Sequence, residues 1–168
     1  MLVKSHMQTL KKAFPSHLKD DCEFLSRNMD RTSMLDPVSQ FFVIVQDEVL
    51  EIPDRIYYPE ENVHNLSPFN PLHKEILNCF YTRHHNGFVR ERCLREIVTS
   101  EYVWVVPYVV KLIGEYVIEI LQVIKDNLVR MNLAMYGEFL TKNQKFYQLT
   151  KQRVASYWNC YYRWQHPN

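Results

Sequence analysis

Glycine is scarce in this sequence. The chain has 168 residues and only 3 glycines, whereas an average usage of about 7% would give roughly 12. Phosphate-binding loops and nucleophile elbows need glycine because a Cβ would block their backbone conformation or close approach. No GxGxxG, Walker A or GxSxG motif is present. The sequence therefore argues against a nucleotide-loop enzyme, an α/β-hydrolase and a turn-dense all-β sandwich.

Paired cysteines and long apolar runs are also absent. None of the four cysteines belongs to a CxxC pair, and this pattern is typical of proteins from a reducing compartment. The N-terminus carries lysines and lacks the 7–15-residue apolar stretch of a signal peptide. Pro107, Lys111 and Glu115 interrupt the most apolar segment, 102–124, which is expected to be buried core rather than a membrane span. These features predict a cytoplasmic protein that does not bind membranes.

Net charge is nearly zero, but the charges are segregated along the chain. The overall charge of +1 gives no global field that would mark a nucleic-acid-binding or membrane-binding protein. Residues 20–61 carry eleven acidic and three basic side chains, whereas residues 125–168 carry seven basic and two acidic ones. Either these segments form complementary faces of one fold, or their polarity serves a partner.

The N-terminal third has a different pattern from the rest. Residues 1–37 are interpreted as a helix or arm followed by a linker, and residues 38–168 as a single domain. Val, Ile, Phe and Tyr dominate residues 38–58, which predicts a β-hairpin of Gln40–Val45 with Val49–Ile52 around a polar Asp-Glu turn. A helix that ends before Pro53 is the alternative.

From Pro71 onward the apolar spacing is helical. Proline is favourable at the first position of a helix, and the pattern predicts two consecutive helix–turn–helix units over residues 71–128. Gly87 and Gly114 are assigned to their turns. Residues 132–164 are expected to add a further pair of helices that caps the stack. Gly137 lies inside this last apolar pattern, where a close approach of two helices or a kink would explain it.

One stretch of the central region carries a repeat-like motif. In HHNGFVRERCLREI, an Asn-Gly turn precedes Phe88, Val89, Arg90 and the small residue Cys93. This stretch resembles the second-helix signature of HEAT-type repeats, and WVVPYVVKLIGEYVIEIL is similar to a following repeat. The resemblance covers residues 71–128. It implies a mainly α fold, a short HEAT-like stack of helical hairpins, and an interaction scaffold as the function.

No coherent catalytic set accompanies this pattern. His84 and His85 are adjacent, and adjacent histidines on a helix point about 100° apart, so they rarely bind one metal ion together. Helix capping is the simpler interpretation, and a small metal-dependent hydrolase around His84, His85 and Glu115 is an alternative. A Cys–His pair would need an exposed thiol, whereas Cys79 and Cys93 lie on apolar stripes. We therefore assign no catalytic or metal-binding residue and no cofactor, although the sequence does not decide between an enzyme and a binding protein.

The most suggestive surface is the C-terminal region, where cations and aromatic residues alternate. Such interleaving is found in single-strand nucleic-acid binders and in protein interfaces, although aromatic residues at helical spacing also form cores. Arg90 is expected either to pair with a carboxylate of the neighbouring repeat or to join a basic ridge. The residues predicted to bind a partner are Arg90, Arg95, Arg153, Tyr157, Tyr161, Tyr162, Arg163 and Trp164.

These observations lead to three hypotheses of function. The first is a non-enzymatic protein-interaction module that binds a protein partner or a second copy through its helical surface. The second is a nucleic-acid-binding protein that uses the basic, aromatic C-terminal helices. The third is the metal-dependent hydrolase named above.

Overall fold

The fold is mainly α-helical with one small sheet. A computed structural model describes residues 8–30, 32, 34–67, 69–115 and 117–162, with the backbone alone for 161 and 162. Within these residues the only sheet is a two-stranded antiparallel one in the N-terminal part. This architecture confirms the predicted fold class of a mainly α chain with an N-terminal hairpin.

The elements follow one another with short connections. Residues 8–12 are helical. The named elements are α1 (Lys19–Asn28), β1 (Gln40–Val45), β2 (Glu48–Pro53), α2 (Glu61–His64), α3 (Pro71–Tyr81), α4 (Gly87–Ile97), α5 (Val106–Ile113), α6 (Ile118–Asn127), α7 (Leu133–Lys142) and α8 (Gln144–Tyr157). Short 3₁₀ turns occupy Ser16–Leu18, Val103–Val105 and Leu128–Arg130, and a π-helical turn, Trp158–Tyr162, follows α8. None of the helices in the described ranges has the length and apolar character needed to cross a bilayer.

The strands β1 and β2 form the predicted hairpin, with its turn one residue earlier than expected. Gln46 and Asp47 have φ values of 52° and 63°, which are the left-handed values that a two-residue type I′ turn requires. Strand β2 therefore begins at Glu48. Val43 pairs with Leu50 across the hairpin, and both are buried. One face of the hairpin thus belongs to the core.

Asparagine side chains cap the N-terminal ends of three of the helices. A side-chain oxygen at the N-cap satisfies a backbone N–H group that has no partner within the helix. Such oxygens accept hydrogen bonds at the starts of α3, α4 and α7: Asn70 from the His73 N–H at 2.8 Å, Asn86 from the Phe88 N–H at 3.0 Å and Asn132 from the Met135 N–H at 3.3 Å. Pro71 occupies the first turn of α3, as the sequence predicts.

Within residues 8–30, side chains of the N-terminal segment belong to the main core, whereas the sequence suggested a helix or arm there. Phe14 stacks on Tyr108, with ring centroids 5.3 Å apart, and meets Trp104 edge-on. The Tyr108 hydroxyl donates a hydrogen bond of 2.6 Å to the Ala13 carbonyl oxygen. Other buried side chains of this segment are Leu10, Leu18, Cys22 and Leu25. Most of the polar residues of this segment lie on its exposed side.

The helices after residue 71 pack as consecutive pairs. Helix α3 packs against α4, and α5 packs against α6, so both predicted helix–turn–helix units are present. Helix α6 also contacts α4, and α5 contacts both α7 and α8. Helix α5 is buried on nearly all sides because its neighbours cover it from several directions, and it forms the centre of the helical part.

Gly114 lies in the turn after α5, as predicted, whereas Gly87 is the first residue of α4. A Cβ at Gly114 would lie 3.5 Å from Thr150 Cγ2 and 3.5 Å from Arg153 Cβ, so Gly114 lies where the end of α5 meets α8. A Cβ at Gly137 would meet no atom within 4 Å. Of the two explanations offered for Gly137, a close helix approach or a kink, the close helix approach is therefore wrong.

Candidate functional site

A large apolar cavity forms a groove between α5, α6, α7 and α8, which we call the apolar groove. Its volume is about 690 Å³. Carbon atoms of aliphatic and aromatic side chains form nearly all of its surface. The lining residues are Val110, Ile113, Ile124, Leu128, Met131, Leu133, Tyr136, Leu140, Tyr147, Thr150, Lys151, Val154, Ala155, Trp158 and Asn159. The groove is open to solvent, so it presents apolar surface that the described residues leave uncovered.

The second half of α8 forms one side of the groove without being buried. Only Phe146 and Thr150 of α8 are buried, and both lie in its first half. The later apolar residues Val154 and Trp158 face the groove and are 41% and 48% exposed. On the opposite wall, Leu133 at the start of α7 is 57% exposed.

Apolar exposure continues beside the groove in the 3₁₀ turn after α6. Leu128 lines the groove and is partly exposed, and its neighbour Val129 is 94% exposed. Single exposed apolar residues are common on monomers, but contiguous apolar patches mark interaction sites. The patch formed by α8, the start of α7 and this turn has that character.

Basic side chains lie in the apolar groove or next to its lining residues in the sequence. Lys151 lines it, and its Nζ atom lies 5.1 Å from the centre of the Tyr147 ring. Lys125 and Arg130 are exposed and flank groove-lining residues in the sequence. On the same segment Asp126 already accepts a hydrogen bond of 2.5 Å from Gln122. Among these positions in and next to the groove lining, basic side chains therefore outnumber acidic ones.

A buried carboxylate, Glu115, holds three arginines together near the other side of α5. Its Oε2 atom lies 2.8 Å from Arg90 Nε, and its Oε1 atom lies 2.9 Å from Arg55 Nη1 and 3.4 Å from Arg83 Nη1. Arg90 also donates hydrogen bonds to the carbonyl oxygens of His84 and His85. These contacts join the end of β2, the end of α3, α4 and the end of α5.

Arg90 is therefore an internal ion-pair residue. It is 4% exposed, which corrects its assignment to a partner-binding surface. The sequence reasoning also expected a carboxylate of the neighbouring helical hairpin as its partner, and Glu115 follows directly after α5 of that hairpin. The burial of the arginine explains why it pairs inward: an unpaired guanidinium at this depth would be strongly unfavourable.

The histidine pair has structural contacts that occupy the ring nitrogens of His84. Its Nε2 donates to the Tyr58 carbonyl oxygen at 2.9 Å, and its Nδ1 accepts from the Asn86 N–H at 3.1 Å. Burial, more than any other cause, lowers the pKa of His84. His85 stacks on Tyr57. Glu115 is engaged by arginines rather than by either histidine.

The other candidate chemical groups are also packed inside. Burial raises the pKa of the Cys93 thiol to about 12 and that of Cys79 well above its usual value, so neither is a ready thiolate nucleophile. No group of three or more His, Cys, Asp and Glu side chains suited to a metal ion occurs in the part of the chain that the structure describes.

The remaining predicted partner-binding residues lie in three places. Arg95 is exposed and pairs with Glu91 at 2.6 Å on the surface of α4. Arg153 and Tyr157 border a polar cleft on α8. For Tyr161 and Tyr162 only the backbone of the π-helical turn is described, and Arg163 and Trp164 lie outside the described residues.

The sequence did not predict that Leu128, Leu133 and Val154 line an open groove, because apolar residues at helical spacing are equally typical of a buried core. Comparison of the chain with protein-family models, curated proteins and solved structures gives no match. The groove and its charges are therefore the basis for inferring a function.

Proposed function

We propose that this chain is a non-enzymatic protein-binding module whose apolar groove receives one amphipathic helix of a partner protein. The observation that carries the proposal is the groove itself, a solvent-open apolar cavity of about 690 Å³ bounded by four helices. A helix in a groove inserts side chains spaced at i, i+3, i+4 and i+7. The helices on both sides of the groove leave an elongated space that fits a row of apolar side chains from one helix.

The charge around the groove specifies the partner further. Lys151 lies in the groove, and Lys125 and Arg130 flank its lining residues. Complementary charges speed association and reject wrong partners. We therefore expect the bound helix to carry an apolar stripe with Asp or Glu residues beside it.

The packing of the helices supports a related proposal about their architecture. The pairs α3–α4 and α5–α6, together with the contact between α4 and α6, are what two stacked HEAT-like hairpins would produce. In such stacks the last hairpin needs a cap. Helices α7 and α8 would provide a partial cap, and the apolar groove is the part left open.

Synthetic peptides test the protein-binding proposal directly. One peptide of about 18 residues, long enough for five helical turns, carries leucines at i, i+3, i+4 and i+7 with Glu and Gln elsewhere. A second replaces Glu by Lys, and a third has the acidic composition in scrambled order. Fluorescence anisotropy of each labelled peptide gives its Kd. We expect the acidic amphipathic peptide to bind at least tenfold more tightly than the other two.

Exposed groove residues supply variants that should fold normally. Val154→Asp and Leu133→Asp place a carboxylate in the groove and are expected to weaken peptide binding tenfold or more, because an unpaired charge is costly to desolvate. Val38→Asp is the matched control, since Val38 is 95% exposed and does not line the groove. The same weakening in all three variants would contradict the proposal.

Two other occupants would overturn the proposal in recognisable ways. If sedimentation shows a wild-type dimer that Val154→Asp converts to a monomer, the groove covers a second copy. If the chain binds a single-stranded oligonucleotide with a steep salt dependence and none of the peptides, the basic C-terminal region is a nucleic-acid surface.

A further inference from the structure

A second cavity, separate from the apolar groove, is strongly polar. We call it the polar cleft; its volume is about 340 Å³. It lies where the end of β2, the end of α3, the end of α5 and the middle of α8 come together. Its lining residues are Ser39, Asp54, Arg55, Arg83, Lys111, Gly114, Glu115, Arg153 and Tyr157.

Cations outnumber carboxylates in the polar cleft. The lining contains Arg55, Arg83, Lys111 and Arg153 but only Asp54 and Glu115. Two of the cations are deeply placed: the side chain of Arg83 is 1% exposed and that of Lys111 is 7% exposed. The other two cations are more accessible to solvent and to a ligand: the side chain of Arg55 is 35% exposed, and Arg153 is exposed.

Both carboxylates are already engaged with cations. Glu115 pairs with Arg55, Arg83 and also Arg90 behind the cleft. Asp54 Oδ1 accepts a hydrogen bond of 2.6 Å from Lys111 Nζ. Arg153 has no salt-bridge partner among the described residues. The carboxylates of the cleft are thus committed, and no further one balances the remaining cations.

Several donors in the cleft remain available to a ligand. Arg55 uses its Nη1 for both the Asp54 carbonyl oxygen and Glu115, and its Nε and Nη2 make no hydrogen bond within the described residues. The ammonium of Lys111 has three N–H donors, one of which is used by Asp54. The side chain of Arg153 contributes a whole guanidinium.

The ionisation of the cleft residues reflects the same excess of charge. Burial, and then repulsion from Arg83 and Arg153, lower the pKa of Lys111 to about 8 against the attraction of Asp54. Burial and the neighbouring Arg55 and Arg90 lower the pKa of Arg83 to about 10, although the attraction of its guanidinium to Glu115 acts in the opposite direction. A bound anion would relieve this repulsion.

The close approach at Gly114 places Arg153 over the cleft. A Cβ at Gly114 would lie 3.5 Å from Arg153 Cβ and 3.6 Å from its Cδ. The aliphatic stem of Arg153 therefore runs across the end of α5, next to Lys111. Arg153 thus lines the cleft together with Asp54 and Arg55 at the end of β2.

From this arrangement we infer that the polar cleft is a binding site for the phosphate group of a small phosphate monoester. The lining carries two more cations than carboxylates, and a phosphate monoester carries about two negative charges above its second pKa of about 6. Arginine forks match phosphate oxygens in geometry, and a lysine adds a point charge. The cleft is larger than one phosphate group, so it also has room for the attached moiety.

The site is independent of the proposed protein-binding function. Helices α5 and α8 present different residues to each cavity: Val110, Ile113 and Val154 face the apolar groove, whereas Lys111 and Arg153 face the polar cleft. Either proposal can fail while the other holds.

Calorimetric titration of the purified chain in a phosphate-free buffer tests the inference. Phenyl phosphate and inorganic phosphate are the probes, and chloride at matched ionic strength is the reference. We expect saturable binding of phosphate, weaker above pH 8, where Lys111 loses its proton. The charged groups that face Lys111 are Asp54, Arg83 and Arg153, and its ammonium lies 4.1 Å from the centre of the Phe41 ring.

Two variants on the same helix decide the location. Arg153→Gln removes an exposed cation of the cleft and is expected to weaken phosphate binding at least tenfold. Lys145→Gln removes an exposed cation of α8 that does not line the cleft, and it should change the Kd less than twofold. Tighter binding of phenyl phosphate than of inorganic phosphate supports an ester ligand. Equal affinity for the two probes, absence of saturable binding, or equal weakening by both variants would overturn the inference.

Discussion

Asn143 hydrogen-bonds both backbone groups of Ile44, although the two residues lie 99 positions apart. Its Oδ1 accepts from the Ile44 N–H at 2.7 Å, and its Nδ2 donates to the Ile44 carbonyl oxygen at 2.9 Å. The side chain thus pairs with β1 as a neighbouring strand would. It satisfies an edge of the hairpin and fixes the junction of α7 and α8 against it.

The Asn143 contact predicts a large loss of stability on substitution. Asn143→Ala leaves two backbone groups of β1 without their partner and is expected to lower the free energy of unfolding by about 2–6 kcal/mol, at about 1–3 kcal/mol for each unsatisfied group. Asn143→Asp keeps the acceptor for the Ile44 N–H and should cost less. Urea unfolding measures both, with Gln144→Ala as the exposed neighbouring control. A loss below about 0.5 kcal/mol for the alanine variant, typical of surface sites, would contradict the prediction.

Removing the carboxylate of Glu115 should be more damaging still. Glu115→Gln leaves Arg83 and Arg90 buried without their counter-charge, and the loss is expected to be about 3–5 kcal/mol. The exposed pair of Glu91 and Arg95 offers a comparison, since Glu91→Gln should cost only about 0.3–0.5 kcal/mol. Thermal or urea unfolding of the two variants gives the difference. Equal losses would show that burial of the arginines does not matter.

The depressed pKa of Lys111 predicts that the free energy of unfolding depends on pH, and a variant without this lysine isolates that dependence. Its pKa falls from 10.5 to about 8 on folding, so between these pH values the unfolded chain binds a proton that the folded chain has released. Stability contributed by this group therefore rises with pH in that window, by up to about 1 kcal/mol per pH unit. Lys111→Met removes the effect.

The measured quantity is the difference in unfolding free energy between the wild type and Lys111→Met from pH 7 to pH 10.5. The buried thiols Cys22 and Cys93 have pKa values raised to about 12, and they lower the stability of both proteins above pH 9. Their contribution cancels in the difference. A difference that stays flat across the window would refute a depressed pKa for Lys111.

Gly137 offers a stabilising substitution. It lies within α7 with open space around the position of a Cβ, and glycine in the middle of a helix costs about 0.5–1 kcal/mol relative to alanine. Gly137→Ala should raise the free energy of unfolding by that amount. Gly114→Ala, whose new methyl group would contact α8 at the end of α5, should give no such gain. Melting temperatures of the two variants provide the comparison.

Local patterns account for the parts of the fold that could be predicted from the sequence. The hairpin follows from β-branched and aromatic residues on both sides of a polar pair, and the helices from residue 71 onward follow from 3.6-residue spacing. The turn was placed one residue late. Gln46 and Asp47 adopt left-handed conformations, and the turn contains no glycine that would have marked its position in the sequence. The burial of residues 8–30 was missed because their partners, such as Tyr108, lie about 95 positions away.

The candidate sites were much harder to predict. The sequence could suggest that Arg90 seeks a carboxylate, but three arginines from separate segments meet at Glu115 only in the folded chain. The residues that line the apolar groove have the same spacing as core residues. Whether Val154 is covered depends on where α8 ends relative to its neighbours, which periodicity does not encode.

The sequence by itself therefore determined the helical character, the hairpin and most helix starts, because these depend on interactions within a few residues. The tertiary structure alone decided which apolar face stays open, which cations lack a carboxylate, and that α8 packs next to Gly114 whereas Gly137 has open space around it. Those properties depend on distances between groups far apart along the chain. The scarcity of glycine is compatible with this outcome, because among the described residues the left-handed turn uses Gln46 and Asp47 rather than glycine.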